Sequence, residues 1–202
     1  INTDAIDNSA GVASSDREVN IKILLAEAMR AGALAAEERE ALLASMTDEV
    51  AALVLEDNYA QTGALSVFQH TAADDLAAHE RLIDRFEADG RLNRQVEGLP
   101  SREGFAERAQ RRQGLTRPEL AVVMAYAKLD LFAAIAASGA PDDPAFEDLL
   151  EAYFPTQLAR FETARARQRL KREIIATRLS NRLGNLAGPA FVGLGPAKPL
   201  YT

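Results

Sequence analysis

The sequence predicts an all-α fold, an irregular multi-helix bundle with at most a short strand remnant at its N-terminus. Ala, Leu, Glu and Arg are abundant along the chain, and all four have high helix propensity. Runs in which β-branched apolar residues alternate with polar ones, the pattern of strands, are absent. Capping residues and glycines recur between the apolar stretches, and only residues 1–6 resemble the end of a strand.

The first helix is predicted to begin at Ser15 and to end at Gly32. Ser15 and Glu18 have the spacing of a capping box, in which each side chain accepts a hydrogen bond from the other residue's amide. The small and polar segment before it, residues 8–15, is predicted to be a loop that lets a ligand approach the backbone. The free amides and positive dipole end at Ser15 would suit a carboxylate or a phosphate.

The clearest local signal is the sequence LTRPEL. Thr116 is predicted to cap a helix, Pro118 to occupy its first turn and Glu119 to complete the capping box. Leu115 and Leu120 have the spacing of a hydrophobic staple. The helix that follows is apolar almost all round, so we expect it to form the core of the second half.

Four consecutive segments are predicted along the chain. The stretch LNRQVEGLPS, which contains Gly98 and Pro100, is the best linker candidate. Further helices are expected at 37–46, from Thr47 to Phe68, from Thr71 to Gly90, from Ser101 to Gln113 and over 156–184. The segments are residues 1–32, a helical subdomain of residues 33–98, a second helical subdomain of residues 99–188 and an irregular tail of residues 189–202.

Composition excludes several classes of protein. The chain of 202 residues has no Cys, so disulfides and cysteine metal sites are excluded and a reducing cytoplasm is expected. Since no apolar run reaches about 18 residues, no membrane span is expected. The first residues lack the basic start and apolar core of a signal peptide. Because the chain begins with Ile1, we expect it to be a fragment or a processed product.

Charge is distributed unevenly. Residues 152–202 carry nine Lys/Arg and two Asp/Glu, whereas residues 1–151 carry 14 basic and 28 acidic side chains. The basic stretch from Arg160 to Arg182 could bind nucleic acid, since neutralised phosphates release counterions. Its single aromatic residue is Phe161 and its apolar positions have helical spacing. An amphipathic helix that pairs with the acidic remainder is therefore the favoured interpretation.

Other patterns do not indicate a catalytic or metal site. His70 and His79 are nine residues apart, half a turn out of phase on a helix, so two separate surface residues are expected rather than a metal pair. GLGPAK resembles part of a dinucleotide fingerprint but lacks its third glycine, a preceding strand and a following helix. Adjacent carboxylates are expected at solvated helix starts, and Tyr59, Tyr126 and Tyr153 are expected in the core.

The segment from Asn8 to Glu18, NSAGVASSDRE, resembles N-A-G-G-V-T-x-S-x-x-E of the glutamate dehydrogenases. In that family the segment joins the last strand of the nucleotide-binding domain to the helix that returns to the substrate domain. Over residues 1–192 the chain is similar to the very large NAD-specific glutamate dehydrogenases of bacteria, just after their catalytic core. The similar segments are INTDAIDNSAGV, SDREVNIKILL, MTDEVAALVLEDNYAQT, GLTRPELAVVMAYAKL and REIIATRLSNRL.

The resemblance implies roles for four residues of the first segment. Asn8 matches the asparagine beside the nicotinamide, and Asn8 and Gly11 are expected to bind the cofactor NAD. Val12 and Ser15 are expected to bind the substrate, Ser15 through a hydrogen bond to a glutamate carboxylate. A serine that caps a helix can still donate its one proton to such a carboxylate.

Departures from the family pattern limit what the resemblance implies. The large enzymes usually read G-V-D-C-S-D-H-E where this chain has Ala13, Ser14 and Arg17, and FVGLGPAKPLYT leaves the pattern. The chain contains neither the catalytic lysine and aspartate motifs nor a dinucleotide fingerprint, so no residue is predicted to be catalytic. Residues 1–32 are then the end of a catalytic core, and the chain alone is expected to be inactive.

Three functions stay open at this point. The first is the C-terminal helical portion of an NAD-dependent glutamate dehydrogenase, which when intact interconverts L-glutamate with 2-oxoglutarate and ammonia. Its expected partners are the remainder of the catalytic core or other subunits of a homo-oligomer, with no nucleic acid, membrane or metal. The second is a free-standing helical module for protein interaction, and nucleic-acid binding by residues 160–182 is a weaker third.

Overall fold

The regular secondary structure is entirely helical in residues 1–192, the part of the chain that the computed structural model describes, which confirms the all-α prediction there. The α-helices are α1 (Asp4–Asp7), α2 (Ser9–Arg30), α3 (Ala36–Ser45), α4 (Thr47–Thr71), α5 (Leu76–Ala88), α6 (Arg102–Gln110), α7 (Arg117–Ala137), α8 (Glu147–Tyr153), α9 (Glu162–Ala166) and α10 (Lys171–Val192). Single 3₁₀ turns lie at Ala140–Asp142, Pro144–Phe146 and Thr156–Leu158.

The helices form two compact units, each built from separate stretches of the chain. Unit 1 consists of residues 1–7, residues 60–133 and the described residues from Ser180 onward, and unit 2 consists of residues 8–59 and 134–179. The four consecutive segments predicted from the sequence divide the chain differently and stay a prediction. The linker candidate LNRQVEGLPS lies inside unit 1, where Leu92 and Leu99 are both buried, so it is a packed segment.

The core of unit 1 is centred on α5 and the first half of α7. Leu82, Ile83 and Phe86 of α5 are completely buried, and burial of each such side chain contributes about 1.5–3 kcal/mol. The prediction that α7 is a core helix is confirmed for its first half, whereas Leu129 farther along is 61% exposed. The α7 side chains in this core are Leu120, Ala121, Val122, Val123, Met124 and Ala127.

Helix α7 is long and apolar enough to cross a membrane, judged by length and composition alone. Lys128 and Asp130 interrupt its apolar residues, so the expectation that no apolar run reaches about 18 residues still holds. A helix in a protein core meets the same criteria, because a core and a bilayer are both apolar. Since the first half of α7 lies in the core of unit 1, packing accounts for the apolar composition of that half.

The sequence LTRPEL forms half of the predicted capping box, because Glu119 binds back to the Thr116 amide, whereas the Thr116 hydroxyl donates to the Glu119 carboxylate instead of capping an amide. One carboxylate oxygen of Glu119 accepts hydrogen bonds from the amide and the hydroxyl of Thr116, each at 2.7 Å. Arg108 of the preceding helix donates two further bonds to Glu119, at 2.6 and 2.8 Å. Leu115 and Leu120 are both buried in the core of unit 1, as the staple pattern predicts.

The core of unit 2 is formed by α2, α8 and the beginning of α10. Leu24, Leu25 and Ala28 of α2 are completely buried, and Leu158 and Ile175 from the later part of the chain belong to the same apolar cluster. The buried positions of α2 recur every three or four residues, so one side of this helix faces the core. The opposite side of α2 is left exposed.

Helix α2 ends as predicted, at a glycine. Gly32 has a φ of +70°, and its amide donates to the Met29 carbonyl at 3.0 Å. The amide of Ala33 donates to the Ala28 carbonyl at 2.9 Å. These two bonds form a Schellman motif, in which glycine accepts the left-handed conformation without steric cost.

The predicted beginning of this helix is wrong. Helix α2 begins at Ser9 with Asn8 as its N-cap, and it continues through Ser15 without interruption. The capping box of Ser15 does not form, because Ser15 lies inside the helix and has no free amide to cap. Glu18 pairs with Lys22 one turn later. Residues 1–6 are not a strand either, since Asp4–Asp7 form α1 and the Asn2 amide binds the Asp7 carboxylate at 3.0 Å.

The single helix predicted over residues 156–184 is interrupted. The chain there forms a 3₁₀ turn, the short α9 and then α10, while Leu158 and Phe161 are buried in the core of unit 2. Tertiary packing thus overrides the helical pattern. The predicted end of the helix at Gly184 is also wrong, because α10 continues past this residue. A Cβ at Gly184 would lie 2.9 Å from Cγ of Lys128, so the glycine allows the Lys128 side chain to pack closely against α10.

The end of α10 is bent at Gly188, which has a φ of +72° and precedes Pro189. A Cβ at Gly188 would lie 2.8 Å from the ring of Phe68, so the position requires glycine for both reasons. The predicted irregular tail begins after this bend, yet residues up to Val192 are helical. Its remainder, together with GLGPAK, lies outside the described residues.

Candidate functional site

The four predicted site residues lie together on one side of α2. Gly11 and Val12 lie three and four residues after Asn8, and Ser15 lies four and three residues after them, which places all four on one face of a helix. All four are exposed, and the Val12 side chain is 67% exposed. The next apolar residue along this face, Val19, is 50% exposed. We call the surface formed by these five residues the α2 face.

Ser15 lies in the interior of α2 and not at its N-terminus. Its hydroxyl therefore has no capping role, and among residues 1–192 it forms no hydrogen bond. The hydroxyl of its neighbour Ser14 does have a partner, the Ala10 carbonyl at 2.8 Å. The structure thus leaves Ser15 able to donate to a ligand, but without the free amides that the sequence pattern implied.

The side of α2 opposite this face carries a buried arginine. Arg17 is 2% exposed and donates to the Asp57 carboxylate of α4 at 2.7 Å. It also donates to the backbone carbonyl of Tyr153, and its guanidinium lies 4.7 Å from the centre of the Tyr153 ring. The other Asp57 oxygen accepts from Arg178 of α10 at 2.7 Å. A buried guanidinium needs such partners because desolvating a charge is costly.

A second group of hydrogen bonds surrounds the hydroxyl of Tyr153. This hydroxyl donates to Asp16 at 2.7 Å and accepts from the side chain of Asn20 at 2.9 Å. The side chain of Gln168 donates to the Asn20 carbonyl at 3.0 Å. Burial and the hydrogen bond to Asp16 raise the pKa of Tyr153 above its ordinary value, so the phenol stays a donor at neutral pH.

Sequence reasoning missed this cluster of Asp16, Arg17, Asn20, Asp57 and Tyr153, which we call the α2 clamp. Arg17 and Asn20 occur at the helical spacing of Ile21 and Leu24, which marks them as facing the core. Their partners could not be read from the sequence, since Tyr153 and Asp16 are 137 positions apart. The clamp holds α2 by its buried side and leaves the α2 face open.

Five of the eight basic residues between Arg160 and Arg182 pair with acidic residues of unit 2, although this stretch is divided between α9 and α10 and is not the single amphipathic helix that was favoured. Arg165, Lys171 and Arg172 form ion pairs with carboxylates of the preceding segment, and Arg167 pairs with Glu27 of α2. Arg178 belongs to the Asp57 pair. The nearby carboxylates therefore neutralise much of the positive charge that a nucleic-acid site would need.

Two expectations about aromatic and imidazole side chains are corrected. His79 is 1% exposed and lies in the apolar interior of unit 1, while His70 is exposed as expected. Tyr126 and Tyr153 pack in the cores, but Tyr59 is 75% exposed. Among the described residues no three His, Cys, Asp or Glu side chains are grouped to hold a metal ion.

Two clefts lie away from the α2 face. One of about 420 Å³ lies in unit 1 between α5 and α6, and its walls include Leu76, Phe105 and Arg102. The other, of about 220 Å³, lies in unit 2 and includes Glu49 and Phe154. Neither of these two clefts is lined by a predicted site residue.

Comparison with known proteins identifies relatives over almost the whole chain. A family model described as the catalytic domain of bacterial NAD-glutamate dehydrogenase matches residues 1–68, and one described as the C-terminal part of glutamate dehydrogenase matches residues 112–194. NAD-specific glutamate dehydrogenases of Pseudomonas aeruginosa, Mycobacterium tuberculosis and Halomonas elongata are 50%, 47% and 46% identical to the chain. Each match covers 95% of this chain, which spans only 12% of the relative's length.

Proposed function

The chain belongs to the family of bacterial NAD-specific glutamate dehydrogenases, and from this premise we propose that it contributes its α2 face to the substrate site of such an enzyme. The reaction is the oxidative deamination of L-glutamate to 2-oxoglutarate and ammonia, with NAD as the oxidant. In this proposal the chain forms the C-terminal helical portion of the enzyme. The observation that carries it is the grouping of Asn8, Gly11, Val12 and Ser15 on one exposed face of α2.

The chemistry of the α2 face agrees with a role at the edge of a substrate site. Ser15 offers a hydroxyl without a protein partner among the described residues, which suits a carboxylate of glutamate. Val12 offers an apolar side chain that becomes buried only when another surface covers it. Because this face is open, the remaining walls of the site come from other parts of the enzyme.

The residues of this chain do not fit NAD by themselves. Asn8 and Gly11 lie on the convex side of a helix, and the Asn8 side chain folds to within 3.2 Å of the position that a Gly11 Cβ would take. A dinucleotide is held in a crevice that approaches the backbone closely, which a convex face does not offer. We therefore assign this chain no step that passes through the cofactor, and we propose that the isolated chain is inactive.

The partners that follow from this proposal are the remainder of the catalytic core and other subunits of a homo-oligomer. Helices α8 to α10 would have a structural role, since their basic residues are engaged with carboxylates of unit 2. A cytoplasmic location fits a chain without Cys that is related to bacterial metabolic enzymes.

The proposal is tested by assaying NADH oxidation with 2-oxoglutarate and ammonium. We expect turnover by the protein expressed together with the region encoded upstream, and none by the 202-residue chain alone. Turnover by the isolated chain would contradict the inactivity proposed for it. If the longer protein shows no glutamate-dependent activity, or if no nucleotide-binding region is encoded upstream, a free-standing interaction module is the better description.

The role of the α2 face is tested with two neighbouring serines. Ser15→Ala in the active enzyme is expected to raise KM for glutamate about tenfold, the change for losing about 1.4 kcal/mol of carboxylate binding. Ser14→Ala is the matched control, because Ser14 is also exposed on α2 but its hydroxyl binds the Ala10 carbonyl. Equal changes in KM for glutamate in the two variants would contradict the binding of a glutamate carboxylate by Ser15.

A further inference from the structure

We infer that Tyr153 and Arg17 are positioning residues, which fix the rotation of α2 and thereby the place of Ser15 in the substrate site. This inference rests on the proposed function of the α2 face. It assigns a role in substrate binding to Tyr153, which lies far along the chain in the region matched by the C-terminal family model. Ser15 lies in the region matched by the catalytic-domain model.

The α2 clamp holds the turn of α2 that carries Ser15. Asp16 and Arg17 are the next two residues, and both bind Tyr153, Asp16 through the tyrosine hydroxyl and Arg17 through its carbonyl and ring. Asn20, one turn later, binds the same hydroxyl at 2.9 Å. Contacts from these three residues of α2 to one aromatic residue restrict both rotation and sliding of this turn.

The α2 clamp is anchored on other helices. Asp57 of α4 accepts from Arg17 and from Arg178 of α10, each at 2.7 Å. Tyr153 is 4% exposed and its ring packs edge-on against Phe154 with centroids 5.0 Å apart. The clamp therefore rests on side chains that are themselves fixed, as precise positioning requires.

A small rotation of α2 is enough to move the Ser15 hydroxyl out of place. A side chain on a helix extends about 5 Å from the axis, so rotation of α2 by about 10° would move the Ser15 hydroxyl about 1 Å. A displacement of that size is enough to weaken the binding of a carboxylate and to misplace the substrate for reaction. Residues that do not touch the substrate can thus control its affinity through α2.

The test compares two substitutions of the same chemical kind in the dehydrogenase that contains this chain. Tyr153→Phe removes the hydroxyl that donates to Asp16 at 2.7 Å. Tyr126→Phe is the matched control, because its hydroxyl also donates to a carboxylate, that of Glu97, at 2.7 Å, but in unit 1. We expect Tyr153→Phe to raise KM for glutamate and 2-oxoglutarate about tenfold, with KM for NAD unchanged and kcat less affected. Tyr126→Phe is expected to leave all three constants unchanged.

The results separate this inference from the function on which it rests. If the unaltered enzyme has no glutamate-dependent activity, the proposed function fails. If the enzyme is active but Tyr153→Phe and Tyr126→Phe have the same KM and kcat values, only the positioning role is overturned. The same conclusion follows if Tyr153→Phe raises KM for NAD as much as KM for glutamate. Should Tyr153→Phe fail to fold, Asp16→Ala removes the same hydrogen bond from the exposed partner and is expected to give the same selective rise.

Discussion

Arg17 and Asp57 form an ion pair of 2.7 Å in which the arginine side chain is 3% exposed and the aspartate side chain 37% exposed. The positive charge is thus inside the protein while its counter-charge reaches the surface of unit 2. Asp57 also forms an ion pair with Arg178, so a single carboxylate balances the charge of two guanidinium groups. Because removing one partner of such a group leaves a buried charge unpaired, the stability of unit 2 depends strongly on Asp57.

Asp57→Ala is expected to lower the free energy of unfolding by about 2–3 kcal/mol. Arg17 keeps its buried charge but loses its carboxylate, and the partial exposure of Asp57 places the loss below that of a fully buried pair. The measurement is urea unfolding followed by circular dichroism. Glu56→Ala is the control, since Glu56 is the exposed neighbour on α4 and should change stability by less than about 0.5 kcal/mol. Equal losses for both variants would mean that the Arg17 pair contributes nothing specific.

Gly114 allows two segments of unit 1 to touch. A Cβ at this position would lie 2.3 Å from the backbone carbon of Ala72, a distance that no adjustment of a flexible side chain can relieve. Gly114→Ala is therefore expected to destabilise the protein by about 2–3 kcal/mol, measured as a shift of the urea midpoint.

Gly63→Ala is the matched control for this substitution. Gly63 lies inside α4 with no atom within 4 Å of its Cβ position, so alanine there should stabilise by about 0.5–1 kcal/mol. The two glycine-to-alanine changes are expected to have opposite signs. A stabilising effect of Gly114→Ala would contradict the close approach to Ala72.

Features that depend on a few consecutive residues could be predicted from the sequence. The capping interactions of Glu119 and the glycine end of α2 at Gly32 are confirmed, because both are closed by hydrogen bonds within one turn. The capping box at Ser15 failed for a different reason. The residues before it are compatible with a helix, and a cap pattern inside a longer helix has no free amide to satisfy.

The α2 clamp could not be predicted, because it depends on residues from distant parts of the chain. Nothing local to Asp16 indicates Tyr153, 137 positions away. The grouping of Asn8, Gly11, Val12 and Ser15 on one helix face was not predicted either, since that segment was expected to be a loop. The roles of these four residues stay predictions that rest on the resemblance and on the proposed function.

The burial of His79 could have been read from the sequence. It lies three residues after Leu76, four before Ile83 and seven before Phe86, which is the spacing of one apolar helix face. Its Nδ1 has no hydrogen-bond partner among the described residues. Burial lowers the pKa of His79 to about 4, although the charge of Asp75 opposes this shift.

This lowered pKa predicts a loss of stability in mild acid. Between about pH 6.5 and pH 4 the unfolded chain binds a proton at His79 while the folded protein does not, so stability falls as the pH is lowered through this range. The contribution of His79 to the free energy of unfolding is complete above pH 6.5. Below that pH it declines by about 1.4 kcal/mol per pH unit, and the total loss is about 3 kcal/mol. In His79→Gln this part of the pH dependence should disappear, whatever the stability of the variant at pH 7.

The measurement is the free energy of unfolding in urea at several pH values from 7 to 4.5, for the unaltered chain and two variants. Carboxylates titrate in all three proteins, so only the difference between their pH profiles reports on the histidine. His70→Gln is the matched control, because His70 is exposed, and its profile is expected to run parallel to that of the unaltered chain. A profile of His79→Gln that is also parallel would show that His79 takes up its proton equally in the folded and unfolded states, and the explanation by burial would then be wrong.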